Sequence, residues 1–204
     1  MPLRFQLWKL PVLFVAFFLP LWGTHADDES SVRIDIIGGT ANPVDFEVQN
    51  VSEGEVLGKA THQQASLAFP ASKDWQKGAV TILPHNSGNI HIIFLGPWLP
   101  VSPGSRELVP EIVNFDDFTS DEVTIHNGSF EVVDEYGNPK YFIKGEIPES
   151  KPAVDESNQA RVVEGDASEG RRYIRVWHNS RFATTVSVTV NVPVTFRFHY
   201  RLNP

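Results

Sequence analysis

Two carboxylates in the middle of the chain have the chemistry for a metal site. In the strand-like segment Val113–Phe118, alternate side chains lie on one face. Val113 and Phe115 mark the face toward the core, so Asp117 is predicted to point inward. A buried carboxylate must be paired, protonated or bound to a metal. Glu131 ends the next predicted strand, where it could meet Asp117 at one end of the fold.

Oxygen ligands of this kind suit Ca²⁺, and backbone carbonyls of the stretch 166–170 could complete the shell. Two other interpretations stay open. The carboxylates could make strand-end hydrogen bonds or pair with Arg171 or Arg172. They could also be the acid and base of a glycosidase, which needs two carboxylates flanking the scissile bond. The candidate calcium ligands are Asp117, Glu131 and Asp166.

A second set of residues has the chemistry to bind sugars. In the segment 173–178, Ile174 and Val176 are expected to face the core, which leaves the aromatic and basic residues on the outer face. In the segment 194–200 the aromatic residues are expected inside and the polar ones outside. Aromatic rings stack on the C–H faces of sugars, and Arg makes bidentate contacts with carboxylates or sulfates. The candidate ligand-binding residues are Tyr173, Arg175, Trp177, Arg197 and His199, with Trp98 of a proline-rich loop as a separate candidate.

An alternative stays open for this second set. Trp177 could belong to the core, and the two arginines could make only surface ion pairs, which contribute little to stability.

Composition and missing motifs exclude several kinds of chemistry. The 204 residues contain no Cys, which removes thiol nucleophiles and cysteine-ligated metals. The formal net charge of −8 argues against nucleic-acid binding, which needs a basic surface. G-x-S-x-G, H-E-x-x-H, phosphate-binding and dinucleotide motifs are absent from the sequence. We therefore expect no catalytic residues and no enzymatic activity.

Short β-strands must position these candidate residues. Segments rich in Val, Ile, Thr and Phe alternate with turn sequences, and no segment of helical length has a 3.6-residue apolar period. The sequence predicts an all-β fold, a two-sheet antiparallel β-sandwich of the jelly-roll type, with long loops at 97–110 and 145–158. The predicted strands are Val32–Ile37, Val44–Gln49, Ala65–Phe69, Ala79–Leu83, Ile90–Leu95, Ile112–Phe118, Val123–Glu131, Tyr141–Lys144, Ala160–Val163, Tyr173–Trp177, Thr184–Val190 and Val194–Tyr200.

The N-terminus has the order of a secretory signal peptide. Arg4 and Lys9 precede an apolar run, and Thr24-His25-Ala26 offers small residues at the cleavage positions. The run is too short to span a bilayer, which needs about 20 apolar residues. We expect a signal peptide at 1–26, a mature start near Asp27, no transmembrane segment, and a secreted or periplasmic protein. The lack of Cys in an exported chain favours a bacterial source.

Four short motifs resemble those of bacterial carbohydrate-binding-module-like jelly rolls, the galactose-binding-like family. Asn127–Glu131 (NGSFE) resembles the opening strand of that family, and Gly165–Val176 resembles a later loop and strand. Asn114–Phe118 (NFDDF) is similar to its closing strand, and Trp75 to a tryptophan before its late strand pair. The resemblance implies a structural calcium site and a packing role for Trp75.

The order of these motifs along the chain is unusual. The piece that resembles the closing strand precedes the piece that resembles the opening strand. This order predicts one circularly permuted domain over 27–204, with halves of about 32–124 and 125–204; two small sandwiches are the alternative.

These observations give a ranked expectation for function. The leading one is an exported, non-catalytic module that binds a polysaccharide or glycan, with any Ca²⁺ being structural. A cell-envelope scaffold that binds proteins is the alternative, and a glycoside hydrolase using Asp117 and Glu131 ranks below both. Because fold alone does not fix function in sandwiches, the choice depends on where the side chains lie.

Overall fold

The computed structural model describes residues 31–39, 42–100, 102, 105, 107–146 and 153–203. Within these ranges the chain forms fourteen β-strands and no helix. It follows that none of the described residues belongs to a helix able to cross a membrane. The predicted signal peptide at 1–26 lies outside the described residues.

Two six-stranded antiparallel sheets pack face to face, which confirms the predicted β-sandwich. A separate two-stranded hairpin pairs β7 (Trp98–Pro100) with β8 (Leu108–Pro110). Sheet A has the order β10 (Ile143–Glu146), β13 (Ser180–Val188), β6 (Gly88–Leu95), β1 (Ser31–Gly38), β4 (Gln64–Pro70) and β3 (Glu55–Thr61). Sheet B has the order β11 (Arg161–Glu164), β12 (Arg172–Val176), β9 (Val113–Thr119), β14 (Val194–Leu202), β5 (Gln76–Pro84) and β2 (Phe46–Ser52).

The chain repeatedly crosses from one sheet to the other. It passes from β4 in sheet A to β5 in sheet B, back to β6, and then to β9; β12, β13 and β14 alternate in the same way. This alternation between layers is that of a jelly roll. Each sheet takes strands from both sides of residue 124, so β9 and β14, far apart in sequence, are neighbours.

Alternating apolar residues explain why the sheets pack. In β1, Val32, Ile34 and Ile36 are buried, and β14 repeats the pattern with Val194, Phe196, Phe198 and Tyr200. Strand side chains alternate between faces, so each of these strands presents one apolar row to the opposite sheet.

Phe94 of sheet A lies at the centre of the aromatic core. Its ring centroid is 5.0 Å from that of Phe115 and 5.2 Å from that of Phe118, both in sheet B. The rings of Phe130 and Phe142 also contact Phe94, at 6.5 and 6.2 Å. These last two residues lie between β9 and β10, outside the two sheets, so the core also anchors an irregular segment.

The predicted strand Val123–Glu131 was wrong, and with it the strand that resembled the family's opening strand. The segment is a series of turns in which Asn127 and Phe130 have φ of 58° and 57°. The Asn127 amide stabilises the turn: it donates to the carbonyls of Val132 and Lys140 and accepts from the Val132 N–H. A Cβ at Gly128 would overlap the carbonyl of Phe118, which only glycine avoids.

Other differences concern strands that pattern alone did not reveal. The strand β3 follows β2 directly in the chain but belongs to the other sheet, and the predicted loop 97–110 contains the β7–β8 hairpin. Neither β7 nor β8 is longer than three residues, which is too short to show a period of two.

Replacing Phe94 by Ala should be one of the most destabilising single changes. Emptying a site that four aromatic rings surround should lower the free energy of unfolding by about 3–5 kcal/mol. Urea unfolding followed by circular dichroism measures this. The control is Tyr136→Ala, because Tyr136 is 80% exposed and its loss should change stability by less than about 0.5 kcal/mol. Equal effects of the two changes would contradict the assigned core.

Candidate functional site

Strand β9 buries Asp116, and the prediction that Asp117 points inward was wrong. Asp117 has a φ of 48°, and the pairing of β9 with β14 shifts register between Arg197 and His199. This irregularity resets the alternation, so that Phe118 takes the inward position. Asp116 is 0% exposed on the opposite face, whereas Asp117 is partly exposed.

Two carboxylates hold down the loop between β11 and β12. Oδ2 of Asp116 accepts hydrogen bonds from the backbone N–H groups of Ser168 and Glu169 at 2.8 and 2.9 Å. Oε1 of Glu131 accepts from the N–H groups of Arg171 and Arg172 at 2.7 and 2.8 Å. The loop therefore presents donors, and not carbonyl oxygens, to these carboxylates.

Asp166 fastens the same loop through Arg201. Nη1 of Arg201 donates to Oδ2 of Asp166 at 2.7 Å, and Nη2 donates to its carbonyl at 2.8 Å. The Arg201 guanidinium lies 4.5 Å from the ring centroid of Trp75 and 5.7 Å from that of Tyr173. Nε1 of Trp75 also donates to the Asp166 carbonyl. The ion pair of Arg201 with Asp166 attaches the loop to sheet B, and the cation–π contacts hold the Arg201 guanidinium in place.

These contacts do not fit a calcium shell. Oε1 of Glu131 already accepts two N–H donors, Asp166 pairs with Arg201, and Oδ2 of Asp117 lies 3.8 Å from the ring of His199. Among the described residues no three His, Asp or Glu side chains form a group able to hold a metal. Calcium binding at Asp117, Glu131 and Asp166 stays a prediction that this arrangement does not favour.

The arrangement of a glycosidase pair is not evident either. A surface depression of about 610 Å³ follows the segment Asp117–Ser129, and its described lining includes Asp117 but not Glu131. The pKa of the Glu131 carboxyl is lowered, mainly by the backbone N–H donors of the loop, Arg171 first. A general acid needs a raised pKa instead.

The outer-face aromatic platform predicted on sheet B was wrong for its two aromatic members. Tyr173 is 5% and Trp177 3% exposed: Trp75 and Arg201 pack on the first, and the β7–β8 hairpin contacts the second. Nε1 of Trp177 donates to the Pro110 carbonyl at 2.9 Å. The residues do face outward from the sheet, but the face is covered at these positions.

The other predicted members of that platform are dispersed. Arg197 is exposed and pairs with Asp121 at 3.0 Å, and the ring of His199 bonds to the hydroxyl of Ser168. Arg175 is partly buried on the outer face, between the two covered aromatics in sequence. The structure does not bring these residues together around one open surface.

Trp98 lies beside His178, where the chain passes from sheet B to sheet A and where several charged residues are near. Its ring centroid is 5.2 Å from that of His178, which follows β12 and precedes β13. Arg33 is paired in register with Leu95, and Arg181 directly precedes Phe182, the partner of Phe94. Two arginines therefore flank Leu95 on the outer face of sheet A. Together with Asp35, these residues form what we call the sheet A cluster: Arg33, Asp35, Trp98, His178 and Arg181.

His178 is a neutral acceptor in this cluster. Burial lowers the pKa of His178 to about 4, and repulsion by Arg33 and Arg181 acts in the same direction, against a hydrogen bond to the Gly96 carbonyl. Nδ1 has no hydrogen-bond partner among the described residues, so we assign the bond to the Gly96 carbonyl to Nε2. Nδ1 consequently carries a buried, unused lone pair.

Asp35 is buried in the cluster near two arginines, and polar atoms of these residues are left without partners. Burial raises the pKa of Asp35, and the charges of Arg33 and Arg181 and a bond from Ser66 oppose that rise. Among the described residues, Oδ1 of Asp35 and Nε of Arg33 are buried without a hydrogen-bond partner. The cluster thus contains two unused acceptors, one unused donor and two positive charges, and its His178 contacts the aromatic ring of Trp98.

Sequence reasoning missed every member of this cluster except Trp98. The alternation Val32-Arg33-Ile34-Asp35-Ile36 did contain the signal, since it places Arg33 and Asp35 together on the outer face. The segment 178–181 has the composition of a polar turn, and nothing local indicates that it reaches the same place.

Comparison with known proteins finds no relative of the chain. No family model, no curated protein and no solved structure matches the chain.

Asp116 should make stability depend on pH. Burial raises the pKa of its carboxyl from 3.8 to about 6, although three backbone N–H groups oppose the rise. Because the folded-state pKa is above the unfolded one, this contribution to stability is fully present below about pH 4 and is lost as pH rises through about 6. The loss amounts to about 3 kcal/mol at 1.36 kcal/mol per pKa unit.

The comparison of wild type with Asp116→Asn isolates this effect. The variant cannot titrate at position 116, so the stability difference between the proteins should favour wild type more at pH 4 than at pH 7. Urea unfolding of both proteins at the two pH values measures it. A difference that stays constant, or that grows in favour of wild type toward pH 7, would contradict the raised pKa.

Proposed function

We propose that the chain is a non-catalytic carbohydrate-binding module whose ligand contacts the sheet A cluster. The observation that supports this is that three buried polar atoms of the cluster have no hydrogen-bond partner among the described residues, namely Nδ1 of His178, Oδ1 of Asp35 and Nε of Arg33; His178 also contacts the Trp98 ring. Buried polar groups are normally hydrogen-bonded, so unused ones in one cluster suggest a ligand.

The types of these atoms match a polyhydroxylated ligand. A sugar hydroxyl donates one hydrogen bond and accepts others, so neighbouring hydroxyls need acceptors and donors side by side. Neutral His178 and Asp35 supply acceptors, and Arg33 supplies a donor. A purely apolar or purely anionic ligand would leave part of this set unsatisfied.

Trp98 supplies the apolar part of the proposed contact. Its ring is partly exposed and tilts at 64° to that of His178 in an edge-on arrangement. A large amphipathic ring at a surface offers contact area at a small cost in conformational entropy. The C–H face of a pyranose ring would pack on it.

The charges favour an acidic sugar. Arg33 and Arg181 face only one carboxylate in the cluster, Asp35, whose own pKa burial raises. Burial also lowers the pKa of Arg181, against the attraction of Asp35, so a bound anion would stabilise its charged form. Uronic acids and sulfated sugars carry such a group.

A cell-envelope protein scaffold remains the second candidate because of exposed apolar residues near β10. Tyr141 and Ile143 are exposed, and a depression of about 170 Å³ lies between them and His126. β10 is the last strand in the order of sheet A. Exposed apolar surface at the end of a sheet is typical of protein-binding regions.

A glycan array followed by isothermal titration tests the leading proposal. Wild type should bind acidic glycans in preference to neutral ones, and Trp98→Ala should weaken binding at least tenfold, or about 1.4 kcal/mol. Arg181→Gln should reduce binding of acidic glycans more than that of neutral ones, since it removes a positive charge and leaves the Trp98 ring in place.

Matched controls lie elsewhere on the molecule. Arg197→Gln removes an exposed arginine from sheet B, and Tyr136→Ala removes an exposed aromatic; both should bind as wild type does. A blank array with folded protein would overturn the proposal and favour the scaffold. Equal losses in Trp98→Ala and Tyr136→Ala would show that the sheet A cluster is not the site.

A further inference from the structure

Three arginines and an asparagine form a row across the outer face of sheet B. Arg161 of β11 is paired in register with Arg175 of β12, and Arg175 is paired with Asn114 of β9. Asn114 is paired on its other side with Arg201 of β14. Register partners in a sheet point to the same face, so these four side chains, the arginine row, are neighbours.

The middle of the row contains polar atoms without partners. Asn114 is 0% exposed, and among the described residues neither its Oδ1 nor its Nδ2 has a hydrogen-bond partner. Nε of Arg175 and Nε of Arg201 are also buried without a partner in this part of the chain. An amide and two guanidinium N–H groups in one place are an exception to the rule that buried polar groups are satisfied.

The row also concentrates positive charge on an acidic chain. The formal net charge is −8, yet Arg161 and Arg175 lie directly opposite each other, and like charges in that position are destabilising. In the described part of the chain, Asp166 is the carboxylate that pairs with the row, through the terminal nitrogens of Arg201. Nη1 of Arg161 donates to the Glu156 carbonyl at 3.0 Å.

We propose that the arginine row binds an oxyanion, either a carboxylate or a sulfate or phosphate group, between Arg175 and Arg201. The anion would accept hydrogen bonds from Nε of both arginines and from Nδ2 of Asn114. Charge-assisted bonds of this kind are the strong ones, and guanidinium geometry suits planar and tetrahedral oxyanions. A water that enters with the anion would satisfy the Asn114 oxygen.

The neighbouring contacts determine which donors are available to the anion and from which side it would enter. The terminal nitrogens of Arg201 are committed to Asp166, which leaves Nε as its free donor. Arg175 is partly buried and Arg161 is exposed, so the anion would enter from the side of β11. The row lies on sheet B and the sheet A cluster on sheet A, so this inference does not depend on the proposed function.

Anion titrations monitored by thermal unfolding test the proposal. Sodium sulfate, sodium phosphate and sodium acetate are compared with sodium chloride at matched ionic strength. Wild type should show a saturable rise in melting temperature with at least one of the three, and Arg175→Gln should weaken the apparent affinity at least tenfold. Selection of acetate would indicate a carboxylate ligand, and selection of sulfate or phosphate a tetrahedral one.

Arg197→Gln is the matched control. Arg197 is also an arginine on the outer face of sheet B, but it is exposed and paired with Asp121. This variant should keep the full anion response. A rise that does not saturate and is equal in all variants would be the general effect of excluded salts on protein stability, and would overturn the site.

Asn114→Leu gives a second, independent test. Replacing an unpartnered buried amide with an apolar side chain of similar size should preserve folding and raise the melting temperature in chloride, while the anion response is lost. Retention of the response in folded Asn114→Leu would overturn the proposal. Should this variant fail to fold, Arg175→Lys decides: it keeps the charge but lacks Nε, so an unchanged affinity would also overturn it.

Discussion

The contact of Phe94 with Phe115 and Phe118 across the sandwich is the constraint on which the rest of the structure depends. It brings the central strand β6 of sheet A against the central strand β9 of sheet B. Phe130 and Phe142 add rings from the segment between β9 and β10, which fixes an irregular part of the chain to the same core. This packing also determines which side chains lie on the outer faces, because inward and outward residues alternate along each strand.

Sequence alternation was sufficient to predict the sandwich and insufficient to predict its surface. In β1 and β14 the period of two is unbroken, so the inward and outward residues follow from the sequence alone. In β9 the irregularity at Asp117 exchanges the expected roles of Asp116 and Asp117. The shift occurs where β9 pairs with β14, a strand far along the chain, so no local sequence pattern contains it.

The same limit explains the aromatic residues of β12. Tyr173 and Trp177 do point away from the sandwich core, as alternation predicts, but Trp75 and Arg201 pack on the first and the β7–β8 hairpin contacts the second. Whether an outward face meets water depends on loops whose paths are set by distant contacts, such as those of Asp166 with Arg201. The sheet A cluster was missed for a related reason, since Trp98, His178 and Arg33 come from separate parts of the chain.

Gly96 places a limit on how far this sequence can diverge. Its carbonyl accepts the hydrogen bond that fixes the ring of His178, and a Cβ at this position would overlap the Glu111 carbonyl and crowd the backbone of Trp177 and His178. No side chain fits there without moving the backbone at Glu111, between β8 and β9. In related sequences, glycine at this position and histidine at 178 should therefore be inherited together, whereas the surrounding loop lengths are free to drift.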